Sequence, residues 1–227
     1  MTHSIARALD TVRRSIPPGV ELVAVSKFHP AEAVAEAYAA GQRVFGESRI
    51  QELLPKAAAL PADIRWHFIG HLQTNKVRQL VAARCVSLIE SVDSERLLRL
   101  IDDESLRAGT VTRLLLQAHV AAEETKFGFD PAELLDFFVD GRYRSLQATH
   151  ICGIMGMATN TDDPVRVAAD FRRLADLRKT IVAACPDLRG FDILSMGMSH
   201  DYLAAIAEGS TMVRIGTAIF GERDYAK

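Results

Sequence analysis

The stretch Val20-Glu-Leu-Val-Ala-Val-Ser-Lys-Phe-His-Pro30 carries an apolar, β-branched run that ends on Ser26 and Lys27. A charged amine left dry at the end of a buried strand is costly. Lys27 therefore either reaches water or is held in place for its amine, whose chemistry would be attack on a carbonyl carbon. Later strand ends bring Gly46-Glu47-Ser48, His67, Gly70 and His71, then Met155, Gly156 and Met157. The last two supply Ser195, Gly197, Ser199, Gly216 and Thr217. Glycines clustered there let backbone N–H groups approach an anion closely. Ser199 is expected to begin a helix, and helix N-termini favour anions. Ser199, Gly216 and Thr217 thus form a candidate phosphate cradle.

Each of these residues also has an ordinary reading. A lone strand-end lysine is commonly a solvated end or an ion-pair partner, and Gly197 and Gly216 serve equally as plain turns. Met155, Met157, Met196 and Met198 suit packing. His67 and His71 stand four apart, but the segment leaves a strand and a glycine intervenes, so a helical zinc pair is not expected. Glu123, Glu124 and Lys126 read as a solvated loop. Arg13-Arg14 and Arg172-Arg173 read as solvated helix faces.

The elements that must position these groups follow from periodicity and punctuation. Residues 2–15 are expected to be a helix, with Ile5, Leu9 and Val12 on one side and Pro17-Pro18-Gly19 as its stop. Strands are expected near 20–27, 43–46, 65–69, 86–89, 113–120, 146–154, 191–194 and 212–215. Helices fall between them. One spans about 30–40, with Pro30 in its first turn and Gly41 past its end. Another starts near Ser48 and fades from Pro55 to Pro61, and a third covers about 73–83. Asp93 or Ser94 caps the next, which ends at Gly109. Asp130-Pro-Ala-Glu133 has capping-box spacing, and Asp163-Pro164 opens a long helix with Val167, Phe171, Leu174 and Ile181 in phase. Ser199 or His200 starts the helix that ends at Gly209, and a short helix closes the chain.

Strict alternation implies parallel strands, and eight of them imply one (β/α)8 TIM barrel over residues 1–227 with an extra N-terminal helix. An open doubly wound sheet is the main rival. The 227 residues fall slightly short of the ~250 typical of this barrel, leaving little room for an added domain.

Composition narrows the function classes. The chain is 48% hydrophobic and 25% charged with a net charge of −2, which gives no electrostatic case for nucleic-acid or membrane partners. Cys85, Cys152 and Cys185 are widely separated, which argues against a disulfide framework or zinc site and fits a reducing cytosol. No apolar run has the length of a signal-peptide core at the N-terminus or of a bilayer span. A cytoplasmic protein is expected.

Closure of the barrel pairs strand eight with strand one and brings Lys27 to the mouth that holds Gly216 and Thr217. Arg214, two residues before Gly216, shares its face. An amine, an arginine and a phosphate cradle around one mouth suggest an aldehyde cofactor with a phosphate, pyridoxal 5′-phosphate (PLP). Lysine forms a Schiff base with such an aldehyde, and burial favours the neutral amine that reacts.

The chain resembles the pyridoxal phosphate homeostasis proteins, a family of alanine-racemase-like barrels, over nearly its whole length. The stretches that carry the resemblance are Leu22-Val-Ala-Val-Ser-Lys27, Phe45-Gly-Glu47 with Gln51-Glu52, and Trp66-His-Phe-Ile-Gly70 with Leu72-Gln73 and Asn75-Lys76. They continue with Lys126 and Gly128, Gly153-Ile-Met-Gly-Met157, and Leu194-Ser-Met-Gly-Met-Ser199 with Asp201. The most specific is Gly209-Ser-Thr-Met-Val-Arg-Ile-Gly-Thr-Ala-Ile-Phe-Gly221. The resemblance implies that Lys27 holds PLP as an internal aldimine, that Arg214 faces the pyridine nitrogen, and that Ser199, Gly216 and Thr217 hold the phosphate. Ser48, His67 and Met155 are expected in the cofactor's surroundings. The family usually has Gly-Glu-Asn where this chain has Gly46-Glu47-Ser48. Serine is shorter with fewer donors, which puts a direct contact at Ser48 in question or routes it through water.

PLP stabilises carbanions best when its pyridine nitrogen is protonated. An arginine there disfavours that proton, because two cations would be opposed. Racemisation needs an acid or base on each face of the substrate, and in alanine racemases one comes from an added β-domain that this chain has no residues to build. The expected function is therefore a carrier and buffer that holds PLP and supplies PLP-dependent apoenzymes. The alternative is a low-activity amino-acid racemase. The resemblance suggests a monomer.

Overall fold

The computed structural model describes residues 4–123 and 127–222. Thr2, His3, Glu124 and Lys126 lie outside them. Eight strands form a closed barrel in sequence order: β1 (Glu21–Val25), β2 (Val44–Glu47), β3 (Arg65–Phe68), β4 (Val86–Val92), β5 (Thr112–Gln117), β6 (Thr149–Met155), β7 (Ile193–Ser195) and β8 (Met212–Ile215). Every neighbouring pair is parallel, and β1 pairs with β8 through Val23↔Arg214 and Ala24↔Ile215. Closure rules out the open sheet.

The helices are α1 (Ile5–Ser15), α2 (Ala31–Ala39), α3 (Ile50–Ala59), α4 (Val77–Ala82), α5 (Glu95–Arg107), α6 (Pro131–Val139), α7 (Pro164–Ala184), α8 (Tyr202–Ala207) and α9 (Thr217–Phe220). Among the described residues, no helix is long and apolar enough to cross a membrane. Short polar caps start several of them. Ser94 accepts from Leu97 N–H, Asp130 from Ala132 and Glu133, and Asp163 from Val165. Helix α1 buries Ile5, Leu9 and Val12, the helical spacing expected of it, and packs on α2 and α9.

The main core lies between the sheet and its helices. A second, smaller cluster fills the barrel interior with Val23, Val44, Leu88, Leu115, Cys152, Met155 and Met212. Strand alternation then sets polar residues one layer above it: Glu90 follows Leu88, Ser195 follows Ile193, and Arg214 follows Met212.

Several boundaries differ from the sequence expectation. Strand β1 stops at Val25, so Lys27 sits in the turn beyond it. Strand β4 runs to Val92, three residues past the expected end, and so includes Glu90. Helix α3 continues through Pro55 to Ala59, with Leu53 and Lys56 buried on either side of the proline. The segment expected as a helix over 73–83 starts with a 3-10 turn, Thr74–Lys76. Helix α8 begins at Tyr202, after a turn across Ser199 and His200 closed by the Asp201 and Tyr202 N–H groups on the Met198 carbonyl and by the Met198 N–H on Asp201 Oδ1 at 2.5 Å. Ser199 is therefore not at the N-terminus of α8.

Strand β6 bulges where its register against β5 shifts between Leu114 and Leu115. Gly153 adopts φ +152° there, and an added Cβ would meet Ile193 O at 1.8 Å. Strain and overpacking at such a position predict that Gly153→Ala costs about 3 kcal/mol or more in urea unfolding. An unchanged midpoint would show that β7 can retreat from β6 freely.

Candidate functional site

The C-terminal ends of β1, β6, β7 and β8 surround a cavity of about 250 Å³. Lys27 lines it from the turn after β1, and Arg214 from β8. Ser199, Gly216 and Thr217 line it from the turns after β7 and β8, and Met155, Met157 and Met198 supply apolar wall. Lys27 is half-buried and Arg214 is buried.

The Ser199 side forms a convergence of donors. Ser199 Oγ accepts from the Gly216 N–H at 3.2 Å and the Ala218 N–H at 3.5 Å, and lies 3.5 Å from Thr217 Oγ1. These N–H groups belong to the start of α9, not α8. Two hydroxyls and the first N–H groups of a helical turn at one point suit phosphate oxygens.

Beneath the cavity runs a buried polar chain. Arg214 donates to Ser195 Oγ at 2.5 Å and to the Gly156 carbonyl at 3.0 Å. Ser195 Oγ donates to Glu90 Oε2 at 2.6 Å, and Glu90 Oε1 lies 2.7 Å from His67 Nδ1. Burial pushes the Glu90 carboxyl up, but the His67 hydrogen bond, the His67 and Arg214 charges and the Ser195 hydroxyl together hold it below the usual carboxylate range. An ionised carboxylate only accepts, so His67 Nδ1 carries the hydrogen. Burial lowers the Arg214 pKa from a very high value, and Glu90 and Asp201 oppose that fall. Arg214 thus presents a fixed cation to the cavity with Glu90 as its counter-charge, 3.8 Å away.

Of the residues expected at the site, Lys27, Arg214, Ser199, Gly216, Thr217 and Met155 come together around this cavity. Ser48 does not line it. Ser48 borders a separate groove of about 210 Å³ with Arg49, His71 and Lys76. His67 lies inside the barrel, one link behind Glu90. His67 and His71 take different acids, Glu90 and Asp93. Glu123, expected in a solvated loop, accepts the Asn160 N–H at 2.8 Å.

Sequence reasoning missed Glu90, whose signal was one acid inside the apolar run Val86–Val92. It also missed His200, which lines the cavity and lies 3.3 Å from Asp201. Lys56 was missed as well, although Glu52 and Lys56 stand at ion-pair spacing on α3. A larger groove of about 510 Å³ opens at the other end of the barrel. Its Arg13, Arg43 and Arg65 already bond Ala40 and Gln42, Tyr38 and Asp63, and Glu21.

An amine, a buried guanidinium and a hydroxyl–N–H cradle around one apolar-walled cavity fit a phosphorylated pyridine aldehyde. The sequence model of the alanine racemase N-terminal domain matches residues 2–224. A pyridoxal phosphate homeostasis protein of Aquifex aeolicus is 40% identical over 211 residues, covering 90% of this chain and 88% of that one. One from Homo sapiens is 39% identical over 216 residues, covering 91% and 78%. The chain belongs to the family of pyridoxal phosphate homeostasis proteins. PipY of Synechococcus elongatus, solved without PLP, superposes with a TM-score of 0.90 at 40% identity, covering 96% of this chain and 100% of that one. PipY with PLP bound gives 0.86 at 39% identity with the same coverage. An alanine racemase of Streptomyces coelicolor is 21% identical with a TM-score of 0.74, over 95% of this chain and 57% of that one, a likeness of fold alone.

Removing Glu90 leaves Arg214 buried without its counter-charge and His67 and Ser195 buried without their acceptor. Glu90→Ala is predicted to destabilise by about 3–5 kcal/mol. The folded pKa of Glu90 is depressed, so its stabilisation is present above the unfolded carboxylate pKa of about 4.3 and is lost as pH falls through the folded value. Urea midpoints measured from pH 7 down to 3 should fall less steeply in Glu90→Gln than in wild type. Parallel curves would contradict the linkage.

Proposed function

We propose that this chain binds PLP as a Schiff base on Lys27 and acts as a carrier and buffer of the cofactor. The observation that carries this reading is that Lys27, Arg214, Ser199, Gly216 and Thr217 line one cavity. Arg214 faces the pyridine nitrogen, and Ser199 Oγ, Thr217 Oγ1 and the α9 N–H groups take the phosphate. The family membership and the PLP-bound PipY structure support the same assignment. The protein works as a cytoplasmic monomer in this reading, keeps free aldehyde low and passes PLP to apoenzymes.

Bound PLP supplies an aldehyde for amines and an electron sink for a carbanion at Cα. The chain's own residues bias it toward holding. Glu90 keeps Arg214 cationic, and a cation there opposes protonation of the pyridine nitrogen, which weakens the sink. A second reading, a low-activity racemase, draws on His200, which lines the cavity with Lys27 and offers a second base.

Two readouts on PLP-loaded protein separate these. Deuterium exchange at Cα of L- and D-alanine in heavy water should run no faster than with free PLP at equal concentration. The same protein should activate an apo-transaminase. Rapid exchange of both enantiomers would replace the carrier reading with the racemase, and failure to activate would remove delivery.

A further inference from the structure

The residues on either side of Lys27 are tied to one buried ionic cluster. Ser26 donates its hydroxyl to Glu47 Oε1 at 2.7 Å, and its carbonyl accepts from Lys56 Nζ at 3.0 Å. Phe28 donates its N–H to Glu52 Oε2 at 2.7 Å. Lys56 joins the two ties, 2.6 Å from Glu47 Oε1 and 3.8 Å from Glu52 Oε2. Glu47 and Lys56 are both buried, and Glu47 Oε2 has no hydrogen-bond partner among the described residues.

Position 28 is also strained. Phe28 has φ +66°, the left-handed region that a phenylalanine seldom adopts. The Arg49 guanidinium lies 4.5 Å from its ring centre and 3.7 Å from Glu52. A turn in this region persists only where its surroundings over-determine it, and such strain gathers at functional sites. A buried ion pair is a weak device for stability alone, because apolar residues of similar volume often do as well. Both features therefore call for a role beyond packing, and both converge on the backbone that carries Lys27.

We propose that Glu52, acting with Lys56 and Glu47, is a positioning clamp that fixes the Lys27 turn so that its amine meets the cofactor aldehyde. The inference rests on the Lys27 reading given above. Glu52 holds the N–H after Lys27, Lys56 holds the carbonyl before it, and Glu47 anchors Lys56 and Ser26 together. The clamp touches neither aldehyde nor phosphate and acts through the backbone. In its absence the turn relaxes from φ +66° and the amine swings off line.

The test reads release of PLP from loaded protein into excess apo-transaminase, with the visible Schiff-base absorbance recorded in parallel and thermal midpoints as a folding control. Glu52→Gln keeps an acceptor oxygen for the Phe28 N–H and should release within about twofold of wild type. Glu52→Leu removes it and should release about tenfold faster with weaker absorbance, the factor expected for one lost charge-assisted hydrogen bond. Phe28→Gly adopts positive φ without a Cβ cost, so adding it to Glu52→Leu should restore release to within about threefold. Glu52→Ser, which leaves room for water, carries the same expectation should Glu52→Leu not fold. Equal release from Glu52→Leu and wild type, or a loss that Phe28→Gly does not recover, overturns the clamp and leaves the Lys27 reading standing. A Lys27→Ala protein with wild-type absorbance overturns the Lys27 reading and the clamp with it.

Discussion

Pairing of β8 with β1 is the contact on which the site depends. Residues about 190 apart in sequence reach one mouth because Val23 pairs with Arg214 and Ala24 with Ile215. The chain leaves β1 into Ser26-Lys27-Phe28 and leaves β8 into Gly216-Thr217, so the amine and the anion cradle open on the same side. A parallel barrel cannot be closed without this pairing. The cavity between Lys27, Arg214 and Ser199 is thus a product of topology before it is one of side chains.

Side chains then decide what the cavity is for. The barrel interior is apolar, and Arg214 at the cavity floor is backed by a continuous buried polar chain through Ser195, Glu90 and His67. Such a chain is stable only when each member is satisfied, and here each hydrogen bond has a named partner. The result is a cation held at a fixed place under the mouth. A second ionic group, Glu47, Lys56 and Glu52, lies beside the Lys27 turn. One cluster sets the electrostatics of the cavity floor, and the other sets the backbone from which the amine rises.

The barrel was legible in the sequence because alternation of short apolar runs with helical periods leaves few alternatives once eight are counted. Lys27, Arg214, Gly216 and Thr217 were legible for a related reason: topology assigns chemistry to strand ends, and these stood there. What periodicity does not encode is which polar residue is buried. Glu90 looked like the residue after a strand, whereas β4 continues through it because Arg214, Ser195 and His67 make a polar interior layer. Ser199 sits in a turn before α8 that Met198 closes with Asp201 and Tyr202, contacts with no periodic signature. Ser48 and His67 carried suggestive positions, yet neither faces the cavity. Lys56 had no signal of burial in the sequence, and its bonds to the Ser26 carbonyl and Glu47, at the ends of β1 and β2, are made only in the packed barrel.

The central claim is that Lys27 carries the cofactor aldehyde. Reduction of PLP-loaded protein with borohydride, followed by proteolysis and mass mapping, tests it most directly. The expected result is the reduced pyridoxyl-phosphate mass on the peptide containing Lys27. A modification confined to another lysine, or none on any peptide of a protein that binds PLP, would contradict it.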